Sequence, residues 1–194
     1  MNVSYPVAGS MVISMISRDV SDRWRSVLAA WMYINANQGV VAGKELDFTS
    51  KAAERVASEV VAPPGAPSWA WSAPKVCAAI EVAEANTGRR LARQLILGLP
   101  AELDAPEMWA ITRQQAQNWA ELGIITMLAV HDPRRAGDTT ATPHAHCIQS
   151  LRALEADGFG TMQTAWNRDH LHAQWREAWR HRCSEAVAKM RAPN

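Results

Sequence analysis

The chain is short of several things, and each shortage removes a class of function. It has three cysteines, Cys77, Cys147 and Cys183, an odd number with no C-x-x-C pair. That argues against a disulfide framework or a zinc ribbon, and unpaired reduced thiols fit a cytoplasmic protein. Charge excess is also missing: 20 lysines and arginines face 19 aspartates and glutamates, for a net charge of +1. Any nucleic-acid surface must then be a local patch, because no basic field covers the whole molecule. The longest apolar run near the start, residues 11–16, falls far short of the about 20 residues that span a bilayer. It also lacks the basic flank of a secretory signal. The expectation is a soluble, cytoplasmic protein with no membrane partner. Repeats and low-complexity segments are absent, and tyrosine is scarce, with only Tyr5 and Tyr33.

What is present is ordinary globular composition, 48% apolar over 194 residues. That length suits one domain with a packed core. Residues 10–17 are short, apolar and bounded by polar residues, which predicts a strand. Residues 19–35 carry Val20, Trp24, Val27, Leu28 and Trp31 at helical spacing, with Tyr33 near the end of the predicted helix. Residues 39–48 read as a turn and an extended piece, and Ser50 caps a short helix starting near Lys51. A strand is expected at 59–62. The run Pro63-Pro64-Gly65-Ala66-Pro67 breaks regular structure, and Trp69 and Trp71 beside it are candidates for exposure. A helix follows from Ser72 to about residue 86, with Pro74 in its first turn. The remaining predictions are a strand at 91–99, a helix at 105–123 capped by Asp104, and strands at 124–131 and 144–151 around a polar loop. A last helix covers 168–191, with Trp175 and Trp179 on one face. The mixture is α+β, an antiparallel central sheet packed with helices.

The chemistry concentrates in His131-Asp132-Pro133 and Pro143-His144-Ala145-His146, an H-x12-H-x-H arrangement. Residues i and i+2 of a strand share a face, so His144 and His146 project together. Pairing with the strand that ends at His131 brings three imidazoles to one point, a natural divalent-metal site with positions left open for substrate. A surface histidine pair is the plainer reading of H-x-H, and a packed helix residue is the plainer reading of Tyr33. His170, His172 and His181 on the final helix read as a solvated face.

These segments resemble the MobA/MobL (MobQ-type) relaxase family. The family's metal motif is an apolar strand ending in His-Asp, a short polar loop, then Asn-Pro-His-x-His; here Thr142 stands in place of the Asn. The stretch Arg25-Ser26-Val27-Leu28-Ala29-Ala30-Trp31-Met32-Tyr33 resembles the helix that carries the family's nucleophile, and Asp47-Phe48-Thr49 the Asp-Tyr that follows it. Residues 76–84, Leu91-Ala92-Arg93 and Leu99-Pro100-Ala101-Glu102-Leu103 resemble a further block. Gly158-Phe159-Gly160, Trp166-Asn167 and Trp175-Arg176-Glu177-Ala178-Trp179 resemble the C-terminal segment. Two features depart from the pattern. Gln94 and Ile96 stand where family strands carry acidic residues, and the Tyr-His pair of the family's first strand is missing around residues 11–17.

The resemblance implies an HUH relaxase-like palm over 1–194, the N-terminal part of a longer mobilisation protein with primase or helicase parts. It implies a metal-dependent strand transferase in which Tyr33 attacks single-stranded DNA at an origin of transfer, presented in some systems as a hairpin. A 5′-phosphotyrosine forms and the strand is later rejoined. His131, His144 and His146 would hold Mg²⁺ or Mn²⁺, with Zn²⁺ or Ni²⁺ also suited to three imidazoles. Asp132 would orient a histidine, and Arg134, Arg135 and Arg152 would meet DNA, with accessory mobilisation proteins as further partners. The alternative is a metal-binding module that recognises origin DNA without nicking it.

Overall fold

The computed structural model describes residues 6–19, 25–86 and 88–192. Tyr5, and Val20 and Trp24 of the expected first helix, lie outside the described residues. In chain order, β1 (Met11–Ser17) leads to α1 (Val27–Ile34) and to the hairpin of β2 (Gln38–Val41) and β3 (Lys44–Asp47). A 3-10 turn at Thr49–Glu54 leads into β4 (Arg55–Val61), followed by α2 (Ala73–Ala83), β5 (Arg90–Gly98) and α3 (Ala105–Ala120). Then come β6 (Thr126–His131), β7 (His144–Gln149), the hairpin of β8 (Arg152–Glu155) and β9 (Gly158–Met162), and α4 (Asp169–Arg191).

Five strands form one antiparallel sheet in the order β1-β5-β7-β6-β4. Cross-strand partners share a face, so the register sorts the side chains. Val130, Leu128, Ala145, Cys147, Leu95 and Leu97 point to one face, where Met108, Trp119, Trp175 and Trp179 of α3 and α4 cover them. Met127, Ala129, Ile148 and Ala92 point to the other, under Val27, Ala30, Trp31 and Ile34 of α1 and Val76, Cys77 and Ile80 of α2. The architecture is α+β with helices on both faces, and β5, β6 and β7 are buried nearly throughout because both faces are covered. All three cysteines are buried and free.

Three expectations change. The helix expected at 19–35 starts at Val27, because Ser26 is extended (φ −153°, ψ 137°) and its side chain caps Ala29 N–H. The short helix after Ser50 is a 3-10 turn, and β4 begins four residues earlier than 59. The β8–β9 hairpin was not foreseen, although Asp157-Gly158 is a hairpin signal and Gly158 has the positive φ (133°) such turns use. No helix among the described residues is long and apolar enough to cross a membrane.

Candidate metal centre and the tyrosine helix

At one end of the β6–β7 ladder His131 stands opposite His144, and Ala129 opposite His146. The three imidazoles therefore share the α1 side of the sheet, with ring centroids 5.5, 5.3 and 4.9 Å apart. One nitrogen from each lies within 4.8 Å of the others. All three rings are buried. Burial disfavours the imidazolium, which pushes His131 down to about 4 and lowers His144 and His146 as well, the last strongly. The cluster is thus neutral at pH 7, the form in which histidine binds a metal.

Backbone carbonyls fix two of the tautomers. His131 Nε2–H donates to Ile34 O at 2.6 Å, and His144 Nδ1–H donates to Thr142 O at 3.0 Å. Because a carbonyl only accepts, the proton lies on Nε2 of His131 and on Nδ1 of His144, and the other nitrogen of each ring is the unprotonated, lone-pair-bearing one. His146 Nδ1 is buried with no hydrogen-bond partner among the described residues. Ile96 sits directly across from His146 in the β5–β7 register and offers it no acceptor. Three neutral imidazoles with one nitrogen each within 4.8 Å of the others are a donor set that fits a divalent ion.

The tyrosine reaches the same place because α1 is held at both ends. Glu81 of α2 accepts Val27 N–H at 2.7 Å and the Ser26 hydroxyl at 2.9 Å, placing a carboxylate at the positive end of the helix. At the other end Asn35 takes hydrogen bonds from Arg55 and from Ser58 Oγ, the latter at 2.6 Å. The His131 bond to Ile34 O falls in the same turn, so one contact joins the tyrosine helix to the histidine cluster. Tyr33 is half-buried; its ring lies 6.3 Å from that of His146 and 5.4 Å from that of Phe48, edge-on to both.

The other expected residues fare differently. Asp132 binds Arg134 instead of a histidine: its carboxylate accepts Arg134 Nε–H at 2.7 Å and an Nη2–H at 2.9 Å. The cause is local, since Asp132 caps the 3-10 turn Pro133–Ala136 on which Arg134 lies. Arg134 also reaches Ala101 O at 2.6 Å, whereas Arg135 is exposed. Arg152 lies beyond the far end of β7, where its Nε–H donates to buried Glu84 at 2.8 Å and an Nη1–H to Gly160 O at 3.0 Å, so its guanidinium is engaged within the protein. Trp71 is 61% exposed as expected, but Trp69 packs against Phe159. His170 and His181 are exposed, and His172 is partly buried against Trp166 O.

Sequence reasoning missed Lys51 and Glu54. Lys51 Nζ lies 5.9 Å from the centre of the Tyr33 ring and 3.6 Å from Glu54 Oε2. The available signal was the sequence Asp47-Phe48-Thr49, whose aspartate accepts both Thr49 N–H and Thr49 Oγ–H and so sets the turn that carries Lys51.

The sequence profile of the MobA/MobL family matches residues 25–193, from the cap of α1 to beyond α4. The chain belongs to the MobA/MobL family. It is 26% identical over 170 residues to the conjugal transfer protein TraA of Agrobacterium fabrum (strain C58 / ATCC 33970), a match that covers 80% of this chain. The chain spans about 15% of the length of that relative. Its fold is similar to a solved structure described as "Molecular Basis of Vancomycin Resistance Transfer in Staphylococcus aureus". The TM-score is 0.79 at 20% identity, covering 95% of this chain and 94% of the other. The MobA/MobL match takes in both the tyrosine helix and the histidine strands.

Proposed function

We propose that this MobA/MobL domain is a relaxase that nicks single-stranded DNA at an origin of transfer through Tyr33. The observation that carries the reading is the 6.3 Å separation between the Tyr33 and His146 rings. A residue able to form a covalent ester thus sits against a buried cluster of three neutral imidazoles. The name of the relative, a conjugal transfer protein, supports the same biology.

In the reaction, the Tyr33 oxygen forms a bond to phosphorus as the bond from phosphorus to the 3′ oxygen breaks. The phenol proton passes to solvent and the departing 3′ oxygen takes one up. The product is a 5′-phosphotyrosine and a free 3′-hydroxyl, and reversal reseals the strand. His131, His144 and His146 would hold a divalent ion, Mg²⁺ or Mn²⁺ in use, with Zn²⁺ or Ni²⁺ also accommodated by the nitrogen donors. When bound, the ion supplies Lewis-acid polarisation of a phosphate oxygen. The clamped ends of α1 keep the tyrosine in register with that cluster, which limits the reorganisation needed on reaching the transition state.

The test is incubation with Mn²⁺ and labelled single-stranded DNA tiled from the sequence flanking the gene, resolved on a denaturing gel beside Tyr33→Phe. The expected result is a protein-linked band that needs the metal and is absent from the variant. Binding without an adduct in either protein would point instead to a recognition module. Free cleaved DNA that persists in Tyr33→Phe would point to a metal nuclease.

A further inference from the structure

The arginines that would naturally neutralise a phosphate are largely engaged. Arg134 is held by Asp132 and Ala101 O, Arg55 by Asn35, and Arg152 by Glu84. Lys51 is placed differently. It projects from the 3-10 turn Thr49–Glu54, which is pinned before it by Asp47 and after it by Glu54 O accepting Asp132 N–H at 2.7 Å. That second bond ties the turn to the residue following His131. The ammonium lies 5.9 Å from the Tyr33 ring centroid, and its charge bears on His131, His144 and His146 alike. Its side chain is 32% exposed, and its ion pair with Glu54 is long, at 3.6 Å. At that separation the two groups share no short hydrogen bond, so a phosphate can compete with Glu54 for the lysine.

We propose that Lys51 is a catalytic cation of the nicking reaction, holding the scissile phosphate beside Tyr33 and offsetting the charge its non-bridging oxygens gain in the transition state. The proposal rests on the relaxase reading. Lys51 acts through its charge alone: it neither gives nor takes a proton, and the bonds made and broken are those of the transesterification. A fixed positive charge aimed at developing negative charge is worth most where water is largely excluded, as it is over the buried histidines.

The experiment uses the full chain as wild type, Lys51→Gln and Lys51→Arg. The single-turnover rate of adduct formation is measured at saturating tiled single-stranded DNA with Mn²⁺. Mn²⁺ binding without DNA is measured in parallel. Lys51→Gln is expected to slow adduct formation about 100-fold, and Lys51→Arg to recover most of the rate. Mn²⁺ should bind Lys51→Gln at least as tightly as wild type, because a neighbouring positive charge has gone. The two effects thus run in opposite directions, which a collapsed turn would not produce. A Lys51→Gln rate within threefold of wild type overturns the proposal while leaving the relaxase reading intact. Loss of Mn²⁺ affinity in step with the rate, without rescue by arginine, also overturns it and assigns Lys51 a structural role. A wild-type protein that forms no adduct removes the relaxase reading, and this proposal with it.

Discussion

The two ends of the β6–β7 ladder are both polar and both buried, yet they are built on opposite plans. At the far end most polar groups find protein partners, Arg93 Nε being the buried exception among the described residues. Arg93 bonds Gln149 and Asn167 at 3.0 and 2.9 Å and lies over the Trp175 ring, and Arg152 is matched by Glu84. At the histidine end, two rings are oriented by carbonyls that fix which nitrogen carries the proton, and His146 Nδ1 has no hydrogen bond among the described residues. Burying polar groups costs free energy unless they are satisfied. The far end meets most of that cost through a buried ion pair and side-chain amides, whereas the near end gathers three neutral ring systems whose nitrogens converge within 4.8 Å.

Breaking the far end should have the largest effect, and only on stability. Glu84→Ala leaves the part-buried Arg152 guanidinium with Gly160 O but without its counter-charge, and loss of one partner of a buried pair costs up to about 3–5 kcal/mol. Chemical denaturation should show that loss, while Mn²⁺ affinity measured on the folded variant stays at the wild-type value. A parallel fall in metal affinity would mean that the two ends are coupled and the contrast is false.

Completing the near end should have a smaller effect of opposite sign. Ile96→Glu places a carboxylate across the ladder from His146, where it can accept the ring N–H that now lacks a partner. Carboxylates in that relation to a ligating histidine are worth about 10- to 100-fold in metal affinity. A gain of about tenfold in Mn²⁺ binding, read by titration, is expected from a position only half-buried. No gain would mean that His146 is already satisfied in solution.

Most of the sheet was legible because its strands are apolar, short and punctuated, and the H-x-H spacing needs only strand periodicity to put two imidazoles on one face. The third histidine followed from pairing adjacent strands across one loop. The pairing of Arg152 was not legible because its partner, Glu84, lies 68 residues away, and no local pattern encodes such a pair. Asp132 is the opposite case: its strongest partner is two residues along, and a nearby guanidinium outcompetes a ring on the neighbouring strand. Lys51 escaped notice because a single lysine in a polar turn is ordinary until tertiary packing sets it over Tyr33. The β8–β9 hairpin was missed because its strands are short and weakly alternating, leaving Asp157-Gly158 as its main mark.

The proposed function requires a metal site beside the tyrosine at the histidine end of the ladder. Anomalous diffraction at the manganese edge, from crystals of the protein grown with Mn²⁺, tests it most directly. One strong peak is expected, bonded to His131, His144 and His146, on the side that faces Tyr33. A peak elsewhere, or none at full Mn²⁺ loading, would contradict it.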